Sequence, residues 1–259
     1  MPLHRADSND WYTAAAIGLA AMCLVTFDHE ALGHGGTCLA MGGHIQVLSN
    51  SIFRCSIHSV WIDPAGPCAN VLAGAISFMV ASRVPSRFIA ARLFLALITS
   101  FSFFWEEGYL VKAMIGRNGD LYFAASDFLG EPSLWWRITG TAVGVIAYLV
   151  TARWVSRALI GLLPNDNMAR RAARVVWIAA TLGAALATLA HTGGGNSGLK
   201  DAVLEIGAAS VPLLFIAPMS QTGTAASSPV TIQRSWIVIC LSLAIYAVSV
   251  ATLGRGLTF

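Results

Sequence analysis

The stretch "WYTAAAIGLAAMCLVTFDHEALGHGGTCLAM", residues 11–41, decides the fold of this chain. Its first half is almost entirely apolar, and about 20 such residues are enough to cross a bilayer as a helix. The run leads without a break into four ionisable side chains, Asp28, His29, Glu30 and His34. Ionisable groups at membrane depth are costly, and they mark functional sites by default. The stretch therefore predicts a membrane helix that carries a functional site in its C-terminal half.

The composition of the whole chain indicates the same class. Of its 259 residues, 56% are hydrophobic and only 11% are charged, and the mean hydropathy is +0.67. A soluble domain carries about 25% charged residues, so this chain lacks the charge to cover a water-exposed surface. We expect an all-α polytopic membrane protein with about six or seven transmembrane helices. The predicted spans are residues 11–41, 65–82, 88–105 with an extension to 115, 134–155, 175–190, 202–219 and 236–253.

Residues 44–62 differ from the apolar spans around them. They are rich in Ile, Val, Phe and Trp, and "SNS" in their middle is a turn signal, which is typical of a β-hairpin. We therefore expect a short membrane-associated hairpin directly after the first helix. Two polar stretches predict irregular structure, a flexible turn at residues 192–200 and an exposed connector at residues 220–235.

The cysteines and the basic residues bear on the compartment. The five cysteines are odd in number and show no C-x-x-C spacing, so we expect neither a disulfide framework nor a thiolate zinc site. Counted over seven alternating spans, ten Lys and Arg residues fall on the N-terminal side and six on the other, which favours a cytoplasmic N-terminus. We predict an integral protein of a bacterial inner (plasma) membrane, without a cleavable signal peptide and without a nucleic-acid partner.

The sequence "HEALGH", beginning at His29, is similar to the H-E-x-x-H motif of zinc metalloproteases but has one residue more. In H-E-x-x-H the histidines stand at i and i+4 and share one helical face. His29 and His34 stand at i and i+5, about 140° apart on a regular helix, where they could not bind one metal. A π-bulge would bring both onto one face, and a break at Gly33 or Gly35 would free them. Alternatively, Glu30 and His34 form the pair and His29 supports it.

Two further elements follow the histidine motif. "DPAGPCANVLAG", residues 63–74, comes directly after the hairpin and contains Gly66, Pro67 and Asn70. "GRNGDLYFAASDFLGEPSLWW" then offers Asp120 near the start of a helical segment. This order resembles the site-2 protease family of intramembrane zinc metalloproteases. In that family H-E-x-x-H is followed by membrane-embedded strands, a Gly-Pro-x-x-Asn element and an Asp next to a Gly.

The resemblance covers residues 12–137, about half of the chain, and departs from the family in the spacing of the histidines. It predicts a metalloprotease-like membrane core over residues 1–137. Additional transmembrane helices over residues 138–259 would belong to the same integral-membrane domain. The resemblance implies hydrolysis of peptide bonds in or near the bilayer, with membrane proteins or peptides as substrates.

The resemblance also implies a Zn2+ cofactor. A catalytic zinc takes three protein ligands and a water, and the ligands would be His29, His34 and Asp120. Glu30 would be the general base that takes a proton from that water. The edge of the hairpin would pair with the substrate as an added strand. Three residues would position the substrate: Gly66, Pro67 and Asn70.

Three more acidic residues are candidates near the metal. A histidine ligand needs an acceptor for its other ring N–H, and Asp28 is a candidate for that contact. Glu106 and Glu107 follow an apolar run and are rival third ligands. Otherwise they lie at a solvated interface beside Trp105 and Tyr109, in an aromatic belt.

Structural roles compete with these assignments. Gly66 and Pro67 also suit a helix start, Asn70 suits an interhelical hydrogen bond, and Asp120 suits a helix cap. For the whole protein, the main alternative is a catalytically inactive relative that binds membrane partners. A membrane di-iron or haem protein is less favoured, because the chain has six histidines and no H-x-x-H-H box. Histidine nitrogens within about 4 Å of each other, with a carboxylate alongside, would support a metal site.

Overall fold

The computed structural model describes residues 9–190, 197–216 and 231–259 of the chain. Long helices form a bundle with a small antiparallel sheet at one end. The helices are α1 (Trp11–Ala40), α2 (Ile62–Ala81), α3 (Ile89–Gly116), α4 (Asp120–Leu129), α5 (Leu134–Leu162), α6 (Asp166–Leu189), α7 (Ser197–Ala202) and α8 (Trp236–Gly254). Within the described residues, six helices are long and apolar enough to cross a membrane: α1, α2, α3, α5, α6 and α8.

Local sequence accounts for where several helices begin and end. Asp10, Ser133 and Asn165 stand at the N-caps of α1, α5 and α6, and each side chain accepts the backbone N–H three residues further on. Between α3 and α4 the chain turns through Arg117 and Gly119, which have φ angles of 55° and 98°. A side chain is disfavoured at such angles, and glycine meets the larger one without strain. This turn brings the start of α4 back towards α3.

The predicted span at 202–219 is wrong as a single helix. After α7 the chain forms a π-helical turn, Val203–Ala208, and then a 3₁₀ turn, Val211–Phe215. Pro212 lacks an N–H and stands at the start of the 3₁₀ turn, where a regular α-helix would need that donor. The segment still runs back along α6, because the Trp177 indole N–H donates to the Gly207 carbonyl at 2.8 Å. Residues 217–219 lie outside the described part of the chain, as do most of the predicted turn at 192–200 and of the connector at 220–235.

The predicted hairpin is confirmed, and a third strand joins it. Strands β1 (Ile45–Leu48), β2 (Phe53–Cys55) and β3 (Leu257–Thr258) are antiparallel in the order β2-β1-β3. The sequence did not predict β3, because two residues are too few to show an alternating pattern. The expectation of no disulfide is wrong, since Cys38 at the end of α1 is bonded to Cys55 in β2. The bond joins residues 17 positions apart that only the hairpin brings together, so no local spacing motif announces it.

Helix α1 is the central element of the bundle. It packs against α3, α6 and α8, and its second half packs against α2. Small residues allow this close approach, because a Cβ on Gly18 would lie 2.8 Å from a methyl carbon of Val176. The buried core contains residues from Ala14 to Ile232 and so extends through both halves of the chain. Functional groups on the second half of α1 are therefore inside the molecule.

Candidate metal centre

A π-helical stretch in α1 brings the two histidines together. Residues Asp28–Gly35 are π-helical, and the Gly36 N–H bonds to the Ala31 carbonyl, five residues back. The Nε2 atoms of His29 and His34 consequently lie 3.2 Å apart, and both side chains are buried. Of the three arrangements left open by the spacing, the structure has the π-bulge. The helix does not break at Gly33 or Gly35.

Asp120 completes a group of three. Its Oδ2 lies 3.4 Å from the Nε2 of His29 and 3.3 Å from the Nε2 of His34. Asp120 is the first residue of α4, and the N-cap position before it is occupied by Gly119, so no side chain caps this helix. The carboxylate therefore faces the histidines and does not cap its own helix. These three residues form a buried group that could hold a metal ion.

The hydrogen bonds on the far sides of the rings define which nitrogens are free. The Nδ1 of His34 lies 2.7 Å from the Ile62 carbonyl oxygen, which can only accept, so Nδ1 carries the proton. The Nδ1 of His29 likewise lies 3.0 Å from the Glu106 carboxylate. In the neutral rings both Nε2 atoms therefore present lone pairs to each other and to Asp120. Three lone-pair donors this close together repel one another unless a cation lies between them.

The dimensions of the group fit a tetrahedral zinc ion. Zinc binds histidine nitrogens and carboxylate oxygens at about 2.0–2.2 Å, so two tetrahedral ligands stand about 3.3 Å apart. The three separations between His29, His34 and Asp120 are 3.2, 3.3 and 3.4 Å. No backbone movement is needed to match that spacing.

Glycine makes room for this arrangement on α2. A Cβ on Gly66 would overlap the His34 ring and would lie 2.7 Å from the Nε2 of His29. A Cβ on Gly33 would in turn lie 2.7 Å from the carbonyl oxygen of Ala65. Gly66 thus faces the Nε2 atoms of both histidines, and its neighbour Pro67 is buried. The predicted role of Gly66 and Pro67 in positioning a substrate stays a prediction, and the close approach of Gly66 shows that α2 packs directly against the metal group.

Asn70 and Glu106 form a hydrogen-bonded pair at the Nδ1 atom of His29, on the side of the ring away from Nε2. The Asn70 amide donates to the Glu106 carboxylate at 2.7 Å, and the same carboxylate oxygen accepts from the His29 Nδ1–H. Asn70 is fully buried and does not line the cavity described below. Its predicted contact with a substrate stays a prediction.

The other acidic candidates fall in different places. Asp28 was predicted to accept the ring N–H of His29, but in the structure Glu106 makes that contact. One oxygen of Asp28 is buried without a hydrogen-bond partner among the described residues. Glu107 accepts a hydrogen bond from Thr151 on α5, away from the histidines. Neither glutamate belongs to the group of three ligands.

A cavity of about 230 Å³ opens beside the metal group. Glu30 lines it and is 6% exposed, and no hydrogen bond to its carboxylate is found in the described part of the chain. The ring of Phe53, from β2, stacks on His34, and that of Trp105 stacks on His29. The remaining lining residues are Ser51, Ile52, Asp63, Tyr109 and Glu205.

Sequence reasoning missed two of these lining residues. Glu205 lies in the π-helical turn after α7, where its carboxylate pairs with Lys112 at 3.3 Å. Glu205 stands inside an apolar run, and ionisable residues at membrane depth, such as Glu30, mark functional sites by default. The sequence indicates Tyr109 only as a residue of an aromatic belt, and nothing in its neighbourhood in sequence indicates a place beside the metal group.

Protonation of the histidines would change this arrangement. A proton on the Nε2 of His29 or His34 donates a hydrogen bond to Asp120 and, with the positive charge of the ring, outweighs the burial that opposes ionisation of the carboxyl group. The protonated rings thus hold the pKa of Asp120 well below its usual range. In the neutral rings a cation has to supply that positive charge.

The fold and the site define a class of protein: a helical bundle with six helices able to cross a membrane and a buried His–His–Asp group able to hold a metal ion. Comparison with protein-family models, with curated proteins and with solved structures finds no match to this chain.

Proposed function

We propose that this chain is an intramembrane zinc metalloprotease, which hydrolyses peptide bonds of membrane proteins or peptides in or near the bilayer. The observation that carries the proposal is the set of three possible ligand atoms 3.2–3.4 Å apart, beside the carboxylate of Glu30, which has no hydrogen-bond partner among the described residues. Two histidines and a carboxylate leave one position of a tetrahedral zinc for water, as in catalytic sites. The resemblance to site-2 proteases supports the same reading.

In this mechanism the residues of the chain divide the chemistry between them. His29, His34 and Asp120 would hold the zinc ion, which would supply Lewis acidity for activating a water and for polarising the scissile carbonyl. Glu30 takes the proton of the attacking water and passes it to the leaving nitrogen. The aromatic rings of Trp105 and Phe53 shield the histidines from bulk water.

The sheet offers a place for the substrate backbone. Strand β3 covers one edge of β1, and β2 covers the other. The outer edge of β2 pairs with no strand among the described residues, and Phe53 of β2 lies at the cavity. A partly unwound substrate could add to this edge as a strand, which exposes its peptide bonds to the metal group. Unwinding is required because a membrane helix satisfies its own backbone hydrogen bonds.

The positions of the arginine residues and of the disulfide support one orientation of the chain across the membrane. The Cys38–Cys55 bond and the sheet lie at the C-terminal end of α1, and disulfides persist in oxidising compartments. The connections at the other end carry Arg83, Arg87 and Arg234, as positive-inside topology requires. Both signals support a cytoplasmic start of α1 and a position of the sheet on the outer side of the membrane.

Metal analysis of the purified protein tests this function. We expect stoichiometric zinc in the wild type and in Glu30→Gln, with loss of zinc in His34→Ala. Peptide hydrolysis should disappear in both variants. An inactive relative that only binds partners would keep its binding in Glu30→Gln and hydrolyse nothing in the wild type. A wild type without zinc would refute the proposal.

A further inference from the structure

Tyr109 of α3 lines the same cavity as Glu30 and the three ligand residues. Its hydroxyl oxygen accepts a hydrogen bond from the backbone N–H of Asp120 at 3.2 Å. The phenol is thus hydrogen-bonded to the backbone of Asp120, whose side chain is one of the proposed metal ligands. This position makes its own O–H available to any group that occupies the cavity.

The hydroxyl proton of Tyr109 has no acceptor among the described residues. A tyrosine hydroxyl can accept and donate at once, and here the only hydrogen bond that the structure records is the accepted one. Three other tyrosines of the chain each donate their proton: Tyr122 to Glu131, Tyr148 to the Ala209 carbonyl and Tyr246 to the Gly183 carbonyl. Tyr109 differs from them in that its donor is unused among the described residues and its side chain lines the cavity beside the metal group.

The phenol is also held firmly in place. A Cβ on Gly119 would lie 2.6 Å from the hydroxyl oxygen, so the turn before Asp120 closes directly over it. The Lys112 ammonium lies 5.2 Å from the centre of the ring. A donor that is fixed before the reaction begins costs no reorganisation when charge develops, which is what makes such a group effective.

We infer that Tyr109 is a catalytic residue of this site, and that its O–H donates a hydrogen bond to the oxyanion of the tetrahedral intermediate. The inference rests on the proposed function. Addition of water to the scissile carbonyl forms a carbon–oxygen bond and moves the carbonyl π pair onto its oxygen, while Glu30 takes the proton. The Tyr109 hydroxyl stabilises that oxygen until the carbon–nitrogen bond breaks and Glu30 protonates the leaving nitrogen. No proton leaves Tyr109 in this sequence.

Binding of two zinc-directed peptides to Tyr109→Phe tests the inference. An alanine tripeptide phosphonamidate imitates the tetrahedral oxyanion, whereas a mercaptoacetyl alanine dipeptide binds a metal through sulfur alone. We expect Tyr109→Phe to keep its zinc and to bind the mercaptoacetyl peptide within about threefold of the wild type. Its affinity for the phosphonamidate should fall by about 100-fold, the range for loss of one oxyanion donor.

Tyr148→Phe is the matched control, because it removes a hydroxyl that donates to a backbone carbonyl outside this cavity. It should bind both peptides as the wild type does. Unchanged phosphonamidate binding by Tyr109→Phe would overturn the inference and leave the proposed function intact. Loss of zinc from Tyr109→Phe would also overturn it, because the hydroxyl would then only position Asp120. A wild type that holds no zinc would instead refute the proposed function itself.

Discussion

The Nε2 atoms of His29 and His34 lie 3.2 Å apart although five positions separate the residues in sequence. On a regular helix they would face directions about 140° apart. The π-helical stretch Asp28–Gly35 absorbs the extra residue and aligns them. The motif H-E-x-x-x-H in this chain is therefore equivalent in space to H-E-x-x-H with one inserted residue.

Removal of the inserted residue should preserve the metal site. Leu32 lies in the π-helical stretch and is 57% exposed, so its deletion removes little packing and leaves "HEAGH" in a regular helix. We expect this deletion to bind zinc within about tenfold of the wild type, since the flanking turns keep their places. Titration with zinc against a fluorescent chelator measures the affinity.

Deletion of Leu24 is the control for that experiment. Leu24 is 36% exposed in the regular part of α1, and its loss rotates the preceding turns by about 100° against the site. Zinc affinity should then fall by at least about 100-fold. Equal loss of zinc in the two deletions would show that the π-helical stretch is not a simple insertion.

Gly66→Ala should disrupt the metal site by steric overlap. Its new methyl group would overlap the ring of His34 and would lie 2.7 Å from the Nε2 of His29. Because backbone and ring are both held in place, we expect zinc affinity to fall by at least about 100-fold. Metal content after dialysis and zinc titration report the change.

Gly36→Ala serves as the matched substitution, since its Cβ would meet nothing within 4 Å. Alanine in a helix interior is more stable than glycine by about 0.5–1 kcal/mol. The variant should bind zinc normally and melt slightly above the wild type. Normal zinc binding by Gly66→Ala would mean that α2 can move away from the histidines.

Glu106→Gln should weaken zinc binding through His29. The carboxylate accepts the His29 Nδ1–H at 3.0 Å and orients the ring. Loss of such a supporting contact lowers metal affinity by about 10–100-fold. The neighbouring Glu107→Gln changes the same chemical group, but that carboxylate contacts Thr151 and not a histidine. It should leave zinc affinity unchanged, and similar losses in both variants would contradict the role assigned to Glu106.

The ionised carboxylate of Asp10 should make the thermal stability of the protein depend on pH. Burial raises the pKa of this carboxyl group, but the Thr13 N–H and the Arg234 guanidinium outweigh it, so the pKa lies below its usual range. A depressed carboxyl pKa stabilises the fold above the unfolded-state value of about 3.9 and loses that effect as pH falls through the folded-state value. We expect wild type to melt above Asp10→Asn at pH 7.

The advantage of wild type over Asp10→Asn should then shrink as pH falls below the unfolded-state value of about 3.9. Asparagine still caps the helix, so the comparison isolates the charge. Arg234→Gln should show a weaker pH dependence than wild type but a stronger one than Asp10→Asn, because it removes the ion pair at 2.7 Å and keeps the hydrogen bond from the Thr13 N–H. Melting curves in detergent at several pH values provide the measurement. A constant difference in melting temperature between pH 7 and pH 3 would contradict this account.

Most of the long helices could be predicted from the sequence, because apolar runs of sufficient length have few alternatives. The hairpin could also be predicted, because its composition changes abruptly from that of the spans on either side. The segment after α7 could not be predicted in this way. Hydropathy alone does not register that a turn becomes π-helical or 3₁₀ when a proline and tertiary contacts interrupt the backbone hydrogen bonds.

The site was predictable in part. The sequence predicted His29, His34 and Asp120 as one group, and the structure brings them together, yet the sequence left three geometries open for His29 and His34. The acceptor for the His29 ring was expected to be the neighbouring Asp28 and is Glu106, which is 77 positions away. Tyr109 and Glu205 reach the cavity from α3 and from the turn after α7, and no local pattern connects them to the histidines.

The sequence by itself determined the mainly helical, apolar class of the chain, the helix that carries the candidate site and the chemical types of the candidate ligands. These follow from composition, hydropathy and local spacing, which are properties of short stretches of chain. Tertiary structure alone decided that His29, His34 and Asp120 meet at one point. Their convergence depends on a π-helical turn, on the absence of a side chain at Gly66 and on the reversal at Gly119. The residues that meet come from α1 and α4, with α2 packed against them, and contacts between segments so far apart in sequence exist only after the bundle has packed.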